Sequence, residues 1–166
     1  MKLNSEVMRN IVFGIEDSLV STVGLVSGIA FVGTAKATLL LTGAVIIFVE
    51  AFSMAVGSLL SDNSVREFEG RASVSITKSF GVSLIMFFSY FSVGFLILIP
   101  YLLFLNPVAM YVSIAISIVA LFVLGIFSGR MSGTNIYKKG LTMAVIGGAA
   151  ILIGMAVGTI VETFPT

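Results

Sequence analysis

Five long apolar stretches, at about 11–35, 37–60, 79–105, 108–128 and 141–161, leave this chain very few ways to fold. Each holds the roughly 20 residues that a helix needs to cross a hydrocarbon core about 30 Å thick. Inside lipid the backbone must satisfy its own hydrogen bonds, so only helices or closed barrels can span. These segments are too long for barrel strands and lack their period-two alternation, so helices are expected. A mean hydropathy of +1.16 agrees. With 58% hydrophobic and 10% charged residues, the chain cannot cover a soluble domain with polar surface. The expected fold is an all-α integral membrane protein, one five-helix domain over residues 1–166. The polar segments 61–78 and 129–140 are too small for a second domain.

A cleaved signal peptide competes for the first stretch, because Lys2 and Arg9 precede it and Ala35-Lys36-Ala37 resembles a cleavage site. Glu16 and Asp17 would interrupt its apolar core, and the second span follows almost at once. The bases then give orientation. Lys2, Arg9, Arg66, Arg71, Lys78, Arg130, Lys138 and Lys139 fall on one side and only Lys36 on the other. The positive-inside rule puts the N-terminus in the cytoplasm and, with five spans, the C-terminus outside; the cytoplasmic membrane of a prokaryote is the expected location. Used as topology markers, the bases form no patch for nucleic acid. No cysteine or histidine occurs, so any metal site must use oxygen and thioether. No nucleophile with a base, phosphate loop or cofactor fingerprint is present, so neither an enzyme nor a resident cofactor is expected.

Three carboxylates break the apolar pattern: Glu16 and Asp17 in span one and Glu50 in span two. A charged acid at the bilayer centre costs about 2.5–3.5 kcal/mol even on insertion scales, which makes such residues functional suspects. In span one, Asp17, Ser21, Gly24 and Gly28 recur at helical intervals along one stripe. Gly24 and Gly28 have the GxxxG spacing that can bring two copies of a helix together, setting Asp17 against its symmetry mate. Alternatively, Asp17 caps the helix near the cytoplasmic surface, with Glu16 among the headgroups. Span two carries Glu50, Met54, Gly57 and Ser61 on one face. A lone membrane methionine is ordinarily packing, so Met54 matters through its neighbours.

Counting at 1.5 Å per residue from Ala35 and Ala37, Asp17 lies about 27 Å and Met54 about 26 Å below the outer surface, with Glu50 at about 20 Å. A short turn makes the two helices neighbours, so Asp17 and Met54 are expected to be level. Carboxylate with thioether suits a borderline or soft divalent metal better than magnesium or calcium, and ferrous iron is the first candidate. Acids that bind such a cation also exchange protons with it. Expected site residues are therefore Asp17, Met54 and Glu50 for metal, Glu50 and Asp17 for proton coupling, and Glu16 as an entrance charge.

The run Gly14-Ile15-Glu16-Asp17-Ser18-Leu19-Val20-Ser21-Thr22-Val23-Gly24-Leu25-Val26-Ser27-Gly28 resembles the first-helix signature of vacuolar iron transporters. Ala51-Phe52-Ser53-Met54-Ala55-Val56-Gly57 is similar to their Ser-Met-x-x-Gly stretch, and 125–148 resembles the connection between helices four and five. The resemblance implies a homodimer of five-helix subunits that exports ferrous iron, often manganese, from the cytoplasm in exchange for protons. Its pathway would lie at the dimer interface, with Asp17 and Met54 each contributed twice. Two departures stand out. Larger members insert an acid- and methionine-rich metal-binding domain where this chain has only 61–78, read here as a solvated connector with Asp62, Glu67 and Glu69 alternating with Arg66 and Arg71. Their helix-two acid falls at Ile46, whereas Glu50 stands one turn nearer Met54.

Two rivals remain: a proton-coupled exporter of another cation centred on Glu50, disfavoured by few aromatics near it, and a non-transporting membrane scaffold. Spans three and four read as packing or lipid-facing helices. Pro100 is a possible kink, and Tyr90, Tyr101 and Tyr111 fit interface, packing or pathway roles equally. In span five, Gly154 and Gly158 suggest close packing.

Overall fold

The computed structural model describes residues 5–68, 70 and 76–163, and it is helical almost throughout. Helix α1 (Ser5–Asp17) passes through a π-helical turn, Ser18–Thr22, into α2 (Val23–Phe31). Then follow α3 (Lys36–Phe68), α4 (Ile76–Leu103), α5 (Val108–Met131) and α6 (Ile136–Thr163). Taking α1 to α2 as one rod, five helices are long and apolar enough to cross a membrane.

Several helix ends differ from those expected. The first span stops at Phe31, not at Ala35, because Gly33 takes φ +77° and breaks the helix. Lys36 opens α3 and its Nζ donates to the Leu102 carbonyl at 2.9 Å, so this base caps the end of α4. At its other end α3 continues to Phe68. Its 33 residues reach about 50 Å, so the final turns outrun the hydrocarbon layer. The expected solvated connector is therefore helical over 61–68; Glu69, Arg71 and the Lys78 side chain lie outside the described residues. Likewise α5 and α6 consume most of 129–140, leaving a turn around Gly133 at φ +65°.

Helix α4 is the packing centre, lying against α1, the π turn, α3 and α5, while α6 covers α2 and α5. Complementary small residues set the closest approaches. A methyl group on Gly94 would meet Ile47 at 2.8 Å, and one on Gly43 would meet Leu98 at 2.7 Å, so α3 and α4 interlock. One apolar cluster gathers Val26, Leu39, Ile47, Leu98 and Tyr101, and a second gathers Leu19, Val23, Ile97, Leu121 and Ile151.

Gly24 and Gly28 do not wait for a second copy. They face Ala150, Gly154 and Gly158 of α6 in the same chain: a Cβ on Gly28 would strike the Gly154 carbonyl, and one on Gly158 would meet the Gly28 oxygen at 2.7 Å. Two GxxxG surfaces within one chain satisfy each other, so this motif no longer argues for a dimer through α2.

Candidate functional site: acids and thioethers between α1, α3 and α4

The π turn begins at the residue after Asp17. A π turn carries one residue more than an α turn and shifts the face that follows, a device frequent at functional sites. Here the shift turns Ser18, Ser21 and Thr22 toward α4. Ser18 Oγ donates to the Tyr90 carbonyl at 2.9 Å. The Tyr90 hydroxyl lies 2.7 Å from Ser21 Oγ and 3.4 Å from Thr22 Oγ1, and it donates to Glu50 Oε2 at 3.4 Å. Tyr90 is 0% exposed, so this phenol is a buried junction of three helices. Asp17 stands within electrostatic range of Glu50 and of Glu16. Among the described residues no ion pair holds Asp17 or Glu50; the salt bridges join Arg66 to Glu6 and Asp62.

One turn nearer the start of α1, Met54 lines a cavity of about 590 Å³ with Met86, Asn10, Phe13, Ser58 and Ser61. Asn10, 1% exposed, accepts a hydrogen bond from Ser58 Oγ at 2.7 Å. That bond sets the register of α1 against α3. Counting outward from it, Asp17 comes level with Ala51 and Glu50, whereas Met54 comes level with Gly14. The expected match of Asp17 with Met54 is thus corrected by about a turn. Its cause is the hairpin: the helices end at Phe31 and Lys36, not at the Ala35 and Ala37 used for the depth count. The hairpin also fails to make α2 and α3 close partners, since α3 leans mainly on α4.

Glu16 points elsewhere. It lines a separate cavity of about 620 Å³ with Met8, Arg9, Met131, Lys139 and Met143, on the α5–α6 side of α1. Lys139 is the charge that acts on it there. Nearer the start of α1, Arg66 Nε binds Asp62 Oδ2 at 2.9 Å and its Nη2 lies 3.4 Å from Glu6 Oε1, while Ser79 Oγ donates to Asp62. Asp62 is therefore committed to a helix-end network. Glu67 is exposed on the last turn of α3.

The residues that sequence reasoning missed are Tyr90, Met86 and Asn10. A signal was present in α4, where Ser79, Ser83, Met86 and Tyr90 recur at intervals of helical period in an otherwise apolar span. The one aromatic that an observed contact brings to Glu50 is Tyr90, through its hydroxyl.

Fold and site together define a polytopic helical membrane protein with carboxylates and thioethers gathered inside its spans. The VIT family model matches residues 8–78 and 70–159, and the chain belongs to that family. No curated protein matches the chain. Family membership points to a membrane metal-ion transporter.

Proposed function

We propose that the chain is a proton-coupled exporter of divalent transition metal, ferrous iron or manganese, acting as a homodimer with the pathway between its copies and a cytoplasmic N-terminus. The observation that carries this reading is that Asp17 and Glu50 stand at one level of the helices, within electrostatic range, with no base among the described residues paired to either and the Tyr90 hydroxyl at Glu50. Two unpaired acids in lipid are costly as anions, and a divalent cation or protons would neutralise them. Loading with one species displaces the other, which is the chemical basis of exchange. Met54, a turn below, supplies the polarizable donor that favours a transition metal over magnesium. Glu16, beside Lys139, serves in this reading as an entrance charge on the cytoplasmic side.

The test is uptake of ferrous iron or manganese into reconstituted vesicles. Expected is uptake driven by a pH gradient, lost in Asp17→Ala and reduced at least tenfold in Met54→Ala. Uptake that ignores the gradient and survives both substitutions would refute the mechanism. The rival reading is an organic-cation exchanger centred on Glu50, the acid to which the Tyr90 hydroxyl donates. Proton release on adding an organic cation, blocked by Glu50→Gln but not by Met54→Ala, would select it.

A further inference from the structure

We propose that Met86 joins Met54, the Asn10 carbonyl and the Ser58 hydroxyl in a metal-binding station of neutral donors, one turn to the cytoplasmic side of the carboxylates. The inference rests on the transporter reading for its physiological ion. The donor set itself follows from geometry. Asp62 with Ser79, Ile47 with Gly94 and Gly43 with Leu98 fix the antiparallel register of α3 on α4. In that register Glu50 comes level with Tyr90, as their hydrogen bond confirms, and Met54 comes level with Met86. Each candidate ligand of α3 thus has a counterpart on α4, an acid facing a phenol and a thioether facing a thioether.

Burial alone would make Met86, 4% exposed, a packing residue. Its position says more, because it borders the same cavity of about 590 Å³ as Met54, and its Sδ lies beside Gly14 of α1, where an added methyl group would meet it at 3.3 Å. The remaining polar lining comprises the neutral Asn10, Ser53, Ser58 and Ser61 together with Arg9, which stands one residue from Asn10 and brings a positive charge to the same cavity. Asn10 Nδ2 is committed to the Glu6 carbonyl at 2.9 Å, which orients Oδ1 toward Ser58 and the cavity. Thioether and amide oxygen donors hold a polarizable cation without adding charge to the membrane interior. Such a station would admit a dehydrating ion and discriminate by softness before the carboxylates bind it by charge.

Silver(I) is a suitable probe, because it prefers thioethers to carboxylates. Isothermal titration of silver nitrate into the purified protein, in chloride-free buffer, should show binding that Met86→Leu and Met54→Leu each weaken at least tenfold. Leucine nearly conserves the volume of methionine, so the packing survives. Asp17→Asn should alter the affinity less than threefold. Methyl-labelled methionine spectra of the unsubstituted protein give a measurement free of folding effects: the Met54 and Met86 methyl signals should shift together as silver is added. Absence of silver binding, binding unchanged in Met86→Leu, or shifts confined to methionines outside this cavity would overturn the proposal. A loss in Asp17→Asn as large as in Met86→Leu would overturn the separation into two levels. If vesicle uptake fails while silver binding behaves as expected, the exporter reading falls and the station stands. If silver binding fails while uptake succeeds, Met86 is packing and the exporter reading stands.

Discussion

Tyr90 shows how much a single hydroxyl can organise where water is absent. Its ring fills space in α4, and its oxygen meets Ser21, Thr22 and Glu50 from two other segments. Tyr90→Phe keeps the ring and removes those contacts. The loss should cost about 1 kcal/mol for the Ser21 bond and up to about 3 kcal/mol if ionised Glu50 is the acceptor. Thermal unfolding in detergent would register the stability change, and vesicle uptake should fall further than stability does, because Glu50 loses its orienting partner. Equal uptake in Tyr90→Phe and the unsubstituted protein would reduce the tyrosine to packing. Asp17, Glu50 and Met54 stand out in the sequence as candidates because carboxylates are rare in lipid and the methionine shares a face with one of them. Tyr90 was not, since a membrane tyrosine suits an interface, a core or a pathway equally well, and only the neighbouring helix decides.

At the scale of elements, the five spans were legible from apolar length alone, but their ends and partners were not. Sequence distance from an assumed surface put Asp17 beside Met54; the Gly33 break and the Lys36 start moved the register by about a turn. The π turn left no visible pattern, because the run 18–22 has ordinary helical spacing and its widening depends on contacts with α4. The glycine pairs were legible as close-packing surfaces, whereas their partner was a matter of tertiary packing. That packing predicts a contrast within α6. A methyl group on Gly154 would collide with the Gly24 carbonyl, while one on Gly148 meets nothing within 4 Å. Gly154→Ala should therefore destabilise the protein by about 1–3 kcal/mol. Gly148→Ala should be neutral or slightly stabilising, as alanine favours helix. Unfolding midpoints of the two variants, measured side by side, check this; equal midpoints would show that α2 and α6 do not meet at their glycines.

For the whole molecule, the chain sets Asp17 level with Glu50 on one side of α3, while Leu41, Val45, Phe48 and Phe52 on the other side are each more than half exposed. Between these sides runs a flank of small residues, Ser53 and Gly57, both exposed, where an added methyl at Gly57 meets nothing within 4 Å. Small exposed residues beside the cavity allow a second helix to come close, and a partner there would bring a second Met54 near the first, whereas a partner on the phenylalanine stripe would not. The proposed homodimer is therefore expected to meet along the Ser53–Gly57 flank. Because the chain contains no cysteine, single substitutions report without background. Ser53→Cys should form a disulfide-linked dimer on mild oxidation in membranes, and Val145→Cys, exposed on α6, should not. The same set tests orientation: an impermeant thiol reagent should label Glu162→Cys on intact cells and reach Lys138→Cys only after lysis. Cross-linking through Val145 with none through Ser53 would move the interface to α6 and leave the carboxylates of each subunit to work alone.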